Sequence, residues 1–315
     1  MPRTLPINPR FRRIYQQLSG VDLATSGTEE LSLEDLGLGD TQNPRGELLF
    51  GTYSPEGLER ALRTYGLLQR AEERVGPTEL RILGDDPYRP RISLWSRRFY
   101  VPVVDVALRK TTGAEVGLDD SLATVPLLYV DALLLQNPGR AFDWHRPPLP
   151  GQNHPGLALS APVLELLMLM AHRIGAEALA LTPSTFAAAC VYDRRFRFVD
   201  GAAQGRFLAL REAGEKRPRW LLAWAVELGC MRDAEGHAAP FTPMPMVAPV
   251  HRRVLRAFEA RAWLEARDRV RRQPLSLDEE ALQQRFPWER MPPGAPPERL
   301  AEQLGYDPLA PVVAH

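Results

Sequence analysis

Residues Pro150 to Gly175 read PGQNHPGLALSAPVLELLMLMAHRIG. A loop of turn-forming residues, with Gly156 and Ala158 two apart, runs straight into an almost unbroken apolar helix. The first N–H groups of a helix have no intrahelical acceptor, and the aligned peptide dipoles leave partial positive charge there. A glycine followed by a small residue lets backbone amides approach a phosphate closely. Turn chemistry alone accounts for the same residues, so an anion site and a plain connection are both open readings.

Other residues have types suited to proton transfer. Asp131 interrupts the apolar run VPLLYVDALLLQ, where a carboxylate is costly unless it is paired or hydrated. It is either a base or one half of an ion pair with one of the many arginines, and Asp105 in FYVPVVDVALRK has the same two readings. His145, in FDWHRPP, has a side chain that titrates near neutral pH; the plainer reading is a solvated loop histidine. His154 lies within the candidate anion loop, to touch phosphate or to stack on Pro155. Cys190 and Cys230 make neither a disulfide framework nor a zinc spacing, and Cys190 on an alanine-rich segment reads as a small buried hydrophobe.

Several elements must hold these residues. Ser54 and Pro55 start a helix expected over residues 55–76, which Gly76-Pro77 ends. Strands are expected at TELRILG, RISLWS, FYVPVVDVALRK and VPLLYVDALLLQ, the last apolar enough to be buried on both faces. The helix from Ser160 to Ile174 has Ser160 as its expected N-cap, Glu165 complementing its dipole, His172 and Arg173 in its last turn and Gly175 just beyond. AEALALTP then reads as a strand parallel to VPLLYVDALLLQ, STFAAACVYDRRF as a helix and RFVD as a short strand. The fold class expected is mixed α/β (α+β).

Three divisions follow: an irregular segment over 1–46, a core over 47–205, and a helical extension with a proline-rich tail over 206–315. In the extension RWLLAWAVELG, residues 250–272 and SLDEEALQQRF read as helices, the last with a capping box from Ser276 to Glu279. HAAPFTPMPMVAPV reads as irregular loop. The tail from Pro287 reads as partly mobile.

The order strand, glycine-bearing loop, apolar helix, strand, helix, strand resembles a divergent member of the GNAT superfamily of acyl-CoA-dependent N-acyltransferases. Asn153-His154-Pro155-Gly156-Leu157-Ala158 is similar to that family's Q/R-x-x-G-x-G/A loop, with Asn in the first position. AAACVYDRRFRF resembles its A-x-x-x-Y-x-K-x-G-F segment, with Tyr192 where the family often has a general acid. The resemblance runs from Glu47 to Asp200. It implies a GNAT-like mixed sheet flanked by helices. It also implies an acyl-CoA donor, acetyl-CoA or longer, whose pyrophosphate is held by Asn153, His154, Gly156, Leu157 and Ala158. Tyr192 is then the acid toward the leaving thiolate and Asp131 the base toward the amine; His145 is a second candidate base on its side-chain type alone. Pro155 lacks an N–H and Asn153 shortens the polar arm, so weakened donor binding is expected. A catalytically lapsed binding or assembly module is therefore the alternative, and a GNAT-fold synthase of acylated signals the second.

The totals limit the partners. Among 315 residues, 39 Lys and Arg balance 39 Asp and Glu, so no global charge argues for nucleic acid or an anionic membrane. Lys110 and Lys216 are the only lysines, a bias that suggests a GC-rich, bacterial genome. The longest apolar run is too short to span a bilayer, and the first residues contain no apolar stretch of signal-peptide length. A cytoplasmic chain with no nucleic-acid or membrane partner is expected. A protein partner or a homodimer is compatible with it.

Overall fold

The computed structural model describes residues 7–25, 48–120 and 122–306, with Gln303 described by its backbone only. The loop expected over residues 32–46 and the last nine residues of the tail lie outside that range. Asn8 and Ser19 cap two short helices, α1 (Pro9–Gln17) and α2 (Gly20–Ala24). Ser54 caps α3 (Pro55–Thr64) through the Gly57 N–H at 2.9 Å. The single helix expected over 55–76 is broken: Gly66 takes φ +74°, open to a residue without Cβ, and α4 (Leu67–Val75) starts in a new direction.

Strands β1 (Thr78–Leu83), β2 (Arg91–Ser96), β3 (Pro102–Thr112) and β4 (Pro126–Leu135) follow, each antiparallel to the one before. Next come α5 (Ser160–Arg173) and β5 (Ala178–Leu181), which pairs in parallel with β4 as expected, Leu127 opposite Ala178 and Val130 opposite Leu181. Parallel neighbours need a crossover, and α5 supplies it. The chain continues through α6 (Phe186–Tyr192), β6 (Arg197–Phe198), α7 (Gly201–Ala213), α8 (Arg219–Glu227), β7 (Met231–Arg232) and β8 (Met246–Pro249). It ends with α9 (Arg252–Ala257), α10 (Arg261–Arg271), β9 (Ser276–Leu277), α11 (Glu279–Arg285) and α12 (Glu298–Leu304).

The main sheet has seven strands in the order β1-β2-β3-β4-β5-β8-β6. It is a mixed α/β sheet flanked by helices, with further helices toward the C-terminus, and is compatible with a GNAT-like fold. β8 comes from the stretch expected to be loop. It pairs antiparallel with both β5 and β6, so the later part of the chain completes the sheet. The division expected at residue 205 falls inside α7.

Both sheet faces are covered. Leu128, Val130, Leu179, Leu181, Met246 and Ala248 belong to the larger core with Leu164, Leu167 and Met168 of α5. Leu127, Ala178, Ala180 and Val247 face the other way, onto Val116, Val254 and Phe258. Truncating a core leucine of α5 to alanine is worth about 2–5 kcal/mol. α7 lies against α10 because Gly201 and Gly205 carry no side chain: a Cβ there would sit 2.4 Å from the Trp263 carbonyl oxygen and 2.3 Å from that of Arg267.

The ends of α5 differ from expectation at one end only. Leu159, not Ser160, is the N-cap residue, and no side chain caps the helix. Glu165 is turned to Arg195 and to the Asn8 N–H instead of complementing the dipole. At the other end Gly175, φ +75°, gives its N–H to His172, and Ala176 gives its N–H to Ala171, a Schellman closure. The helix expected over 250–272 is two, α9 and α10. Asp278, not Ser276, caps α11, because Ser276 is taken up in β9 opposite β7. In the tail, Leu300 and Leu304 of α12 are buried.

Candidate functional site

β4 and β5 stay together for only four residues. Beyond Val130 and Leu181 they separate, and β4 next meets main chain on that side at Leu135. There the Leu157 N–H reaches the Leu135 carbonyl at 3.2 Å, and the Asn137 N–H reaches the Pro155 carbonyl at 2.7 Å. Between these points Asp131, Ala132, Leu133 and Leu134 have no strand partner on that side among the described residues. The pairing with β3 slips at the same place: Ala107 is opposite Ala132 and Leu108 opposite Val130, so Asp131 is the extra residue of a bulge.

The loop that returns to β4 alternates along its length. Pro155, Leu157 and Leu159 are buried, while Gly156 and Ala158 are exposed. The buried three anchor the start of α5, so Leu157 is a core residue as well as a loop residue. Ala158 sits at φ +55°, a left-handed conformation that is costly with a Cβ. Gly156 is not in that region, and a Cβ there would meet only the Leu135 carbonyl oxygen at 3.8 Å. Among the described residues, the N–H groups of Gly156, Ala158, Leu159, Ser160 and Ala161 have no protein acceptor. The donor missing at Pro155 is not from this set. In extended chain a residue's carbonyl and amide point the same way, and the Pro155 carbonyl is turned to β4.

Ser160 and Ala161 open onto a cavity of about 360 Å³. Leu164 of α5, Ala187 and Val191 of α6, Ala223 of α8 and Leu149 of the preceding loop make its apolar wall. Arg194, Arg195 and Arg219 line it as well, and no carboxylate does. Trp224 of α8 fixes the wall by donating its Nε1–H to the Pro148 carbonyl at 2.8 Å. None of the three arginines was foreseen as a site residue. Their side-chain type is visible in the sequence, but their convergence depends on α8 folding back over α6.

Tyr192 is in the same cavity, at the last turn of α6, with its ring 5.7 Å from that of Phe196. Burial raises its pKa above the ordinary phenol value, which keeps the hydroxyl protonated at neutral pH. Cys190 beside it is pushed up to about 12, chiefly by burial, so it is a thiol rather than a nucleophilic thiolate.

Asp131 lies on the other face of the sheet. Arg109 Nε donates to its Oδ1 at 2.9 Å, reaches Glu115 at 3.1 Å, and stacks on the Tyr129 ring at 4.3 Å. The Tyr129 hydroxyl is 2.7 Å from Thr182 Oγ1, bridging β4 to the end of β5. The ion-paired reading of Asp131 therefore describes its contacts, though 42% of the side chain stays exposed to solvent. Asp105 is paired too, with Arg91 and with Ser93 Oγ at 2.5 Å.

The remaining expected residues are spread along the approach loop. His145 is exposed in a turn, its N–H bonded to Asp143 Oδ1 at 2.8 Å, and it lines none of the cavity. Asn153 is exposed and His154 half-buried, neither of them in the cavity wall. Asp233, Glu235 and His237 bring three potential metal-ligand atoms together on a separate turn. There Asp233 Oδ1 already accepts the N–H groups of Glu235 and His237.

The arrangement offers free amides and two arginines without a carboxylate partner among the described residues on the helix side, an unpaired stretch of β4, and an ion-paired carboxylate within that stretch. No helix among the described residues is long and apolar enough to cross a membrane. No protein-family model matches the chain, and no curated protein matches it either.

Proposed function

We propose that the chain is a GNAT-type enzyme that moves an acyl group from acyl-CoA to an amine of a small molecule or protein. The observation that carries this reading is the row of acceptor-free amides leading into α5, the last two of which belong to Ser160 and Ala161 in the wall of a cavity that Tyr192 also lines. A diphosphate fits amides and positive charge at a helix N-terminus. The pantetheine arm would pass from there toward the unpaired stretch Asp131–Leu134 of β4, and the amine would approach that stretch from the Asp131 face.

In the reaction the amine nitrogen adds to the thioester carbonyl, and backbone N–H groups stabilise the oxyanion. The C–S bond then breaks, an amide forms, and the thiol departs. Tyr192, kept protonated by burial, would give its proton to the thiolate sulfur. The amine's proton goes to water or to Asp131. A free thiol has a pKa of about 8.5, so the Tyr192 proton assists departure without being indispensable to it.

Titration calorimetry with acetyl-CoA and with longer acyl-CoAs, followed by thiol-release assays over a panel of amines, tests this. At least one acyl-CoA should bind at micromolar concentration and release thiol only when an amine is present. Absence of binding by all of them would sink the reading. Binding without thiol release would select the second reading, a non-catalytic acyl-CoA module. That reading is favoured by the Arg109–Asp131 ion pair, which holds the candidate base in a contact of its own.

A further inference from the structure

The arginines around the cavity are not alike. Arg195 is tied to Glu165, and neighbours outside the cavity are tied as well, Arg211 to Asp193 and Arg217 to Glu279. Arg194 and Arg219 line the same cavity, and among the described residues neither has a carboxylate partner. Arg219 is also in a poor place for a cation. It is the first residue of α8, a helix with no acidic residue in its first turn and no side-chain cap. Positive charge at a helix N-terminus is unfavourable. An anion between Arg194 and Arg219 would offset that cost and meet the α8 dipole as well.

The amides at the start of α5 and these two guanidinium groups lie on different elements around one cavity, which suits a ligand with two separate anionic groups. We infer that Arg194 and Arg219 clamp a phosphate monoester of the donor, apart from the diphosphate held by the α5 amides. They thereby select a donor carrying the 3′-phosphate of coenzyme A. This rests on the acyl-CoA reading and adds to it a specificity supplied partly by α8. Guanidinium groups suit the role because their planar forks pair bidentately with phosphate oxygens.

The test compares coenzyme A with dephospho-coenzyme A, which differs only by that phosphate, on the full chain by titration calorimetry. The wild-type chain should bind coenzyme A about ten- to a hundredfold more tightly. The double variant Arg194→Gln, Arg219→Gln should bind the two ligands equally, at the wild-type affinity for dephospho-coenzyme A. Both positions are exposed and Arg219 opposes the α8 dipole, so the variant should melt at or slightly above the wild-type temperature. Each single variant should lose part of the discrimination. Equal wild-type affinities for the two ligands would overturn the clamp and leave the acyl-CoA reading standing. A double variant that weakens both ligands by the same factor would place the arginines on the diphosphate instead, and overturn it too. Failure of both ligands to bind the wild-type chain would remove the clamp and the acyl-CoA reading together.

Discussion

Tyr192, half-buried, and Asp105, buried, illustrate two uses of a polar side chain away from bulk solvent. The Tyr192 hydroxyl has no hydrogen-bond partner among the described residues, although its ring is packed against Phe196. Tyr192→Phe removes one oxygen and little volume. If the hydroxyl serves the thiolate, turnover falls about ten- to several-hundredfold while acyl-CoA affinity stays the same; steady-state kinetics and calorimetry on the variant check both halves. Asp105, by contrast, is fully engaged. The Arg91 hydrogen bonds, followed by that of Ser93, hold its carboxyl below the usual carboxylate range against the opposing effect of burial. A carboxylate whose folded pKa is depressed contributes stability above its unfolded pKa, near about 3.9, and loses it as pH falls through the folded value. Arg91→Met should therefore destabilise the fold by about 1–3 kcal/mol at pH 7. The difference from wild type should shrink steadily in urea melts taken from pH 5 down to pH 3. A difference independent of pH would mean that Arg91 acts through packing alone.

At the scale of elements, the start of α5 separates what the backbone requires from what a ligand would require. Ala158 has the left-handed conformation, so Ala158→Gly should stabilise the chain by about 1 kcal/mol, read as a rise in melting temperature. Gly156 has neither a positive φ nor a close neighbour. Gly156→Glu should cost little stability, yet it places a carboxylate beside the free amides. Acyl-CoA binding should then collapse while the melt changes only modestly, and an unchanged affinity would locate the donor elsewhere. Elements defined by local pattern were legible in the sequence: α5, β4 and β5 follow from their apolar runs and flanking Gly and Pro residues. Those that depend on distant partners were not. Met246–Pro249 is a strand because β5 and β6 pair with it from either side, and the surrounding prolines of FTPMPMVAPV hide it. The bulge at Asp131 and the convergence of Arg194, Arg195 and Arg219 are likewise invisible along the chain. Each depends on register or on α8 folding back, not on local spacing. The loop and Tyr192 could be singled out from the sequence, whereas the cavity between the start of α5 and Tyr192 could not.

At the scale of the whole molecule, the sheet is not finished until residue 249. Met246, Val247 and Ala248 of β8 are completely buried between β5 and β6. Phe241 just before them packs on Phe186 and Phe198. Without β8, β5 would lose one of its two hydrogen-bonding partners and present an unpaired edge of four apolar residues, and β6 would have no partner strand in the sheet. Exposed apolar edges of this kind promote association between chains. α7 would be cut short, and its contact with α10 through Gly201 and Gly205 would vanish. A chain ending at residue 205, where a boundary looks natural in the sequence, should therefore not fold. Expressed alone it should be insoluble, or soluble without a cooperative thermal transition and without near-ultraviolet circular dichroism. A chain ending after residue 286 retains β8, α10 and α11 and should keep a cooperative transition, at a lower temperature because Leu300 and Leu304 no longer cover the core. The pair distinguishes completion of one sheet from addition of a second unit: if the 205-residue piece melts cooperatively with a native-like spectrum, β8 is an accessory strand and the first 205 residues are a domain in their own right.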